Sequence, residues 1–589
     1  MKREHWDSRT LFILAAVGSA VGLGNVWRFP FVCYQNGGGA FFIPFFVAIL
    51  TAGIPLLILE MGLGHMMQAG APTAMFKINK KFEWLGWFSI LVGFGIVVYY
   101  AVIMSWCFNY LYFSFGVKWA GQAGDFFFKD FLQLGKVSEM LSIGSVRIPI
   151  LGGLFLTWLW IYFSIFKGAK SVGKVVLLTV PLPFLILIFL VIRGLTLPGA
   201  MEGVKFYLEP DFSKLLSLKT WLAAYGQVFF SFSIGFGVMI AYASFLPKKT
   251  DVANNAFIVG LVDALTAFLS GFAVFSALGF LSLKTGVAID SISGGVGLAF
   301  VTFPTIIEQM PKLPVLAGLL FFIMLLTLGI DSAFSLVEAG AAGLMDKYKI
   351  KRVTANTLIC SIAFILGLIF TTQSGVHWLT ILDYFSSNYG LVLVGLFQCI
   401  AIGWVFGTGK FRRYINSVSE VRIGIWWDIF IAFFTPVFLI ISLSVTIFKI
   451  FTDYENTDLA GYELKAVMLG GVLILLLFLI ASIILGSKHQ KLSKDDEKEH
   501  NKLLEILKRG PEDKLTLKQI LMDLGILLIM LFGVGILTFL LIQFLPGWIA
   551  MLSVAIIFLV GGLIYCLSKI KSQSYDDTSD NNIQEPEYE

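Results

Sequence analysis

Charge is scarce in this chain: 14% of its 589 residues are charged and 57% are hydrophobic, whereas a soluble domain carries about 25% charged residues. That shortage, with a mean hydropathy of +0.85, excludes a soluble globular protein and leaves an integral membrane protein. Cysteine is equally sparse. Cys33, Cys107, Cys360, Cys399 and Cys566 stand alone, and without a CxxC pair there is no disulfide framework. The histidines show no HExxH or paired-ligand spacing, and no set of nucleophile, base and orienting residue is visible, so an enzyme is not expected. Neither sign of charge dominates, the formal net charge being +5. The Lys and Arg residues are spread over short loops, which leaves no nucleic-acid footprint.

What the sequence has in abundance is long apolar runs. Fourteen segments are long enough to cross about 30 Å of hydrocarbon, from 11–34 through 221–246, 255–283 and 314–344 to 520–544 and 547–568. The expected organisation is an N-terminus at 1–10, a core at 11–486, a charged linker at 487–519 with a short amphipathic helix, an extra hairpin at 520–568 and an acidic tail at 569–589. No small-residue cleavage site follows the first run, so it reads as a retained helix rather than a signal peptide. Alternate loops are basic, among them Lys77, Lys80 and Lys81, then Lys248 and Lys249, then Lys410, Arg412 and Arg413. The loop 450–464, ahead of the basic run from Lys488 to Lys518, holds Asp453, Glu455, Asp458 and Glu463 without a Lys or Arg. Since Lys and Arg accumulate on the cytoplasmic side, both termini are expected in the cytoplasm, in a plasma membrane of bacterial inner-membrane type.

The first run contains "GSAVGLGNVWRFP" at 18–30, and the sixth contains "FFSFSIGFG" at 229–237. Interrupted helices survive in mid-membrane only where they line protein or a water-filled cavity. Two Gly-broken helices at corresponding places in successive five-helix halves point to an inverted-repeat secondary transporter. Glycines also serve close helix packing, but packing alone needs no Asn25, Ser231 and Ser233 beside them. Asp263 and Asp331 lie deep in apolar segments, where a central charge costs at least about 2.5–3.5 kcal/mol, so both need partners.

The stretches "KREHWDSR", "AVGLGNVWRFP", "NGGGAF", "GIPLLILEMGLG", "YGQVFFSFSIGFG", "LTLGIDS" and "LDYFSSNYG" together resemble the neurotransmitter:sodium symporter family, over roughly residues 2–486. The hairpin 520–568 lies outside the twelve-helix family core. The resemblance implies an all-α 5+5 inverted-repeat transporter with broken first and sixth helices. It implies two sodium sites, the first from the Ala20 carbonyl, Asn25, Ser231 and Asp263 with the substrate carboxylate. The second would use the Gly18, Val21 and Leu328 carbonyls with Asp331 and Ser332. Unwound carbonyls and short oxygen side chains suit a hard cation. The same resemblance places a substrate carboxylate against Tyr100 and the amides near Leu23 and Gly24, and its side chain among Ile96, Phe230, Ser233, Phe236 and Ser332. Ser231 belongs to this wall as well. Gates map onto Arg28 with Asp383 on the outside, and onto Trp6 and Arg3 with Asp346 on the inside. Glu60 matches a glutamate that supports the unwound sixth helix.

Monoamine carriers of the family place an acid at the position of Gly22, so its absence favours an amino-acid substrate. Chloride-dependent members hold the anion with hydroxyl and amide groups, of which this chain keeps Gln227 and Ser231 but has Phe45, Asp263 and Ala267 at the remaining places. A built-in carboxylate beside sodium is the simplest reading, with proton counter-transport if Asp263 returns protonated. The expected function is sodium-coupled symport of a neutral, hydrophobic amino acid. The alternative is a membrane amino-acid sensor using the same site. Partners beyond sodium, amino acid and lipid are not legible, and a homodimer is left open.

Overall fold

Residues 4–289, 295–310, 313–457, 459–488, 494–509, 525–526 and 533–568 are described by the computed structural model. Among them the chain is helical apart from its connections, with isolated β-bridges only, Gly38 to Pro210 and Val146 to Thr372. The first span, α1, is a bent pair, Arg9–Ala20 and Leu23–Gln35, whose halves meet at 51°. It is followed by α2 (Gly39–Met67), α3 (Lys80–Ser114), α4 (Ile148–Ile165) and α5 (Ala169–Leu195). The sixth, α6, is two short helices, Leu218–Ser231 and Val238–Ala243. Then come α7 (Ala253–Thr285), α8 (Pro314–Tyr348), α9 (Arg352–Thr371), α10 (Gly375–Val418), α11 (Ile425–Thr452), α12 (Leu464–Ser487) and α13 (Gly547–Leu567).

Eleven of these spans are unbroken, and the bent first and the interrupted sixth account for two more of the fourteen expected. The remaining candidate, 520–544, is described only at 525–526 and from 533 onward. The tail 569–589 lies outside the described residues. The expected amphipathic helix of the linker is present as Lys494–Arg509. Several helices outlast their apolar runs. α8 continues to Tyr348 because its polar last turn finds partners: the Asp346 carboxylate accepts from the Gly70 amide at 2.7 Å and Lys347 pairs with Glu83 at 2.5 Å.

Burial separates the inner helices from the rim. The most apolar windows of α2 and α3 are 89% buried, that of α12 only 17%, so α12 presents the apolar flank that a bilayer covers. Both halves of α1, the second half of α6, and α3 and α8 meet around the centre of the bundle. Small residues allow these approaches: a Cβ on Gly64 would overlap the Ile240 carbonyl of α6, and one on Gly203 would overlap the Phe275 carbonyl of α7. The last span lies along α2 and α7, with Met551, Val554, Ala555 and Leu559 fully buried. Phe558 stacks on Phe46 at 4.3 Å, and Asn254 donates to the Cys566 carbonyl at 3.1 Å.

Gly64→Val should therefore destabilise the protein by about 1–3 kcal/mol or more, since the clash is with backbone that cannot rotate away. Gly152→Val, where a Cβ meets nothing within 4 Å, serves as the control. Thermal unfolding of the purified variants in detergent checks this, and equal melting temperatures for the two would refute it.

Candidate functional site

The first half of α1 stops at Ala20 because the next amides turn elsewhere. Val21 N–H still bonds the Val17 carbonyl at 2.7 Å. The Gly22 amide donates instead to Asn25 Oδ1 at 3.0 Å, and the Leu23 amide to the Tyr100 hydroxyl at 3.5 Å. The carbonyls of Gly18 and Ser19 thereby lose their helical donors. Ser19 O is taken by two hydroxyls from other helices, Ser233 at 2.8 Å and Ser332 at 3.1 Å.

The break in α6 faces it. Ser233, Gly235 and Gly237 all have positive φ, +54°, +86° and +74°. Glycine adopts this freely, while a serine there needs its surroundings to hold it; the bond from Ser233 to Ser19 O does so. The Gly235 amide is capped by Glu60 Oε1 at 2.9 Å, and Gln398 donates to the same oxygen at 2.8 Å. Glu60 is fully buried, with its Oε1 shared between these two donors.

A cavity lies between the two breaks, lined by Ser19, Ala20, Gly22, Leu23, Gly24, Asn25, Ile96, Tyr100, Phe230, Ser231, Ser233, Phe236, Ser332 and Leu336. All nine residues expected around the substrate are among them. A Cβ on Gly22 would stand 3.0 Å from Ser332 Oγ and 3.4 Å from the Tyr100 hydroxyl, so any side chain there presses on those two groups. The half-helix Leu23–Gln35 begins at the cavity, and a helix N-terminus favours an anion through its dipole.

Three of the residues expected at the first ion site form one bonded group. Asn25 Nδ2 donates to Asp263 Oδ1 at 2.8 Å and Ser231 Oγ to Asp263 Oδ2 at 2.7 Å. Ala20 lines the same cavity. At the second, Gly18 lies against Asp331, a Cβ there standing 2.7 Å from Asp331 Oδ2, and Ser332 reaches the α1 break. Leu328 sits just before Asp331 on α8, and Val21 is at the break itself. The residues at the positions compared above with anion ligands are also buried: Phe45 packs on Phe29 at 4.8 Å, Ala267 is enclosed, and both polar atoms of Gln227 lack a partner among the described residues.

The residues expected at the two gates are engaged unequally. On the side of the N-terminus, Trp6 is buried, its indole donating to the Tyr242 carbonyl at 2.9 Å and its amide to the Phe245 carbonyl at 3.1 Å. Asp346 caps Gly70, as described above, and Arg3 lies outside the described residues. On the far side, Arg28 and Asp383 are not joined in an ion pair. Arg28 lies 4.7 Å from the centroid of the Phe230 ring, and Asp383 accepts from the Tyr99 hydroxyl at 2.5 Å and from Ser387 at 3.2 Å.

Sequence reasoning missed several residues that the fold brings here. Ser19 and Leu336 line the cavity, and Thr179 of α5 donates to Asp331 Oδ1 at 2.6 Å. Near Trp6, Arg352 binds Glu338 at 2.6 Å and Glu4 at 3.0 Å, tying the N-terminal segment to α8 and α9. Glu338 carried the available signal, an acid inside an apolar run. Ser19 and Thr179 carried none, since buried hydroxyls usually bond their own helix.

Glu60→Ala should cost roughly 1–3 kcal/mol by stranding the Gly235 amide and Gln398 in an apolar interior. Glu60→Gln, which keeps an acceptor oxygen, should cost clearly less. Melting temperatures decide it, and wild-type behaviour of the alanine variant would remove Glu60 from this role.

A family model described as the sodium:neurotransmitter symporter family matches residues 3–125 and 117–492, ending short of α13. An uncharacterized sodium-dependent transporter of Methanocaldococcus jannaschii is 40% identical over 486 residues, covering 82% of this chain and 98% of its own. The sodium- and chloride-dependent GABA transporter 2 of Mus musculus is 34% identical over 76% of this chain and 81% of its own. The sodium- and chloride-dependent taurine transporter of Canis lupus familiaris is 36% identical over 74% and 77%. Matched along most of its length and carrying two interrupted helices that face one cavity, the chain belongs to the sodium:neurotransmitter symporter family.

Proposed function

We propose that this protein is a sodium-coupled symporter of neutral amino acids that works by alternating access in the plasma membrane, with both termini cytoplasmic. The observation that carries the reading is the cavity between the two breaks, flanked on one side by the Asn25, Ser231 and Asp263 group and on the other by Asp331. One sodium would be held by Ala20 O, Asn25, Ser231, Asp263 and the substrate carboxylate, and a second by the Gly18, Val21 and Leu328 carbonyls with Asp331 and Ser332. The carboxylate would meet Tyr100 and the half-helix amides. Charged side chains would be left unpaired beside Ile96, Phe230, Phe236 and Leu336. An amine substrate would want an acid at position 22, and the glycine there supports an amino acid instead. Trp6 with Asp346, and Arg28 with Asp383, would close the two paths in turn.

The energy is sufficient. At 100 mV each inward charge is worth about 2.3 kcal/mol, and a tenfold sodium gradient adds about 1.4. Two ions thus supply roughly 7 kcal/mol, enough in principle for about 10⁵-fold accumulation. The hairpin, whose last span α13 lies on α2 and α7 outside the family match, has a packing or regulatory role.

Chloride independence is part of the proposal, supported by the Asp263 carboxylate that Ser231 and Asn25 hold beside the first ion site, and by the apolar Phe45 and Ala267. The empty carrier would return with Asp263 protonated, exchanging a proton outward. Sodium-driven uptake of neutral amino acids such as alanine, valine and leucine into proteoliposomes tests the core reading, and preferential uptake of lysine or glutamate would overturn it. Asp331→Ala should abolish coupled uptake, because it removes the only charged ligand of the second site; unchanged sodium dependence would show that the site is misplaced. Gluconate in place of chloride should leave wild-type uptake intact. Lowering internal pH from about 8.5 to about 5.5 should change wild-type uptake but not the weakened uptake of Asp263→Asn, since only the carboxylate titrates there. A chloride requirement defeats the fixed-anion idea, and indifference to internal pH defeats the proton step.

A further inference from the structure

The hydroxyls at the α1 break can be followed proton by proton. Ser335 donates its one proton to the Ser332 carbonyl at 2.8 Å. It is therefore the acceptor in its 2.8 Å contact with Ser19 Oγ, and the single Ser19 proton goes there or to the longer 3.5 Å contact with Ser233 Oγ, in either case to the protein. Ser233 and Ser332 both donate to the Ser19 carbonyl. A hydroxyl carries one donor and two acceptor lone pairs, so the three serines that line the cavity, Ser19, Ser233 and Ser332, have committed their protons to the protein. What they have left for a ligand is lone pairs. Around them the walls are hydrocarbon: Ile96, Phe230, Phe236 and Leu336.

We infer that Ser19, held by Ser335, makes the side-chain end of the cavity a subsite for a hydrogen-bond donor, and that the substrates are small amino acids bearing a side-chain hydroxyl, of the threonine and serine kind. The inference rests on the amino-acid reading of this cavity. The hydroxyl of such a ligand donates to Ser19 Oγ, while its methyl or methylene packs on the apolar wall. Valine has nearly the shape of threonine with a methyl in place of the hydroxyl, so it fills the space but leaves the acceptor dry. Ser335 is a positioning residue: it takes the Ser19 proton, and without it Ser19 is free to turn that proton toward the ligand.

The experiment is competition binding on the purified full-length protein in sodium gluconate, with potassium gluconate as the reference, using threonine, valine, serine and alanine. Wild type should favour threonine over valine by about tenfold or more, equivalent to about 1.4 kcal/mol. The ratio should fall below about threefold in Ser19→Ala and in Ser335→Ala, about 0.7 kcal/mol or less by the same conversion. Because the ratio is taken within each variant, a general loss of affinity cancels, and Ser335→Ala decides the matter if Ser19→Ala does not fold. Valine binding as well as threonine in wild type, or a ratio unchanged in the variants, overturns the inference while leaving an amino-acid carrier. Binding of no amino acid in sodium beyond that in potassium overturns the underlying reading itself.

Discussion

An interrupted helix inside a bilayer leaves backbone N–H and C=O groups that no water or lipid can satisfy, at several kcal/mol each. The centre of this protein is organised by that cost. The Gly22 and Leu23 amides are met by Asn25 and Tyr100, the Ser19 carbonyl by Ser233 and Ser332, and the Gly235 amide by Glu60. These partners come from the second, third, sixth and eighth spans as well as the first. Satisfying the two breaks therefore gathers the bundle around one point. The carbonyls that remain beside it are the kind of ligand that a hard cation takes.

The buried acids follow from the same economy. Asp263, Asp331, Glu60 and Glu338 are all at most 2% exposed, and each accepts from an identified donor: Asn25 and Ser231, Thr179, the Gly235 amide with Gln398, and Arg352. A carboxylate in low dielectric is tolerated only when such donors, or a bound cation, replace its hydration. Glu338 already has the fixed cation Arg352. Asp263 and Asp331 have hydroxyl and amide donors and face the breaks, so they are the acids whose environment a mobile cation would change most.

The two ends of the molecule are engaged differently. On the N-terminal side Trp6, Tyr242, Phe245 and the Glu4, Arg352 and Glu338 chain interlock the N-terminal segment with α6, α8 and α9. On the far side Arg28 rests on Phe230 and Asp383 on Tyr99 and Ser387, without reaching each other. The N-terminal side is thus tied by a bonded network, while Arg28 and Asp383 each keep contacts of their own.

Hydropathy by itself determined that the chain spans a membrane many times, because twenty apolar residues have few other solvents. The glycines of "GSAVGLGN" and "SIGFG" located both breaks, since helix breakers inside an apolar run need a compensating environment. The residues that the family resemblance put around the substrate, from Leu23 and Tyr100 to Phe236 and Ser332, line the cavity together with Ser19 and Leu336. Tertiary structure alone decided which hydroxyls join the site. Ser19, Thr179 and Ser335 look in sequence like any helical serine or threonine, whose oxygen could bond its own backbone a turn away. Thr179 does this too, bonding the Val175 carbonyl while it also reaches Asp331. That second partner sits on a helix more than a hundred residues distant. The register between two helices is set by the close packing of every side chain between them, and no local pattern encodes it.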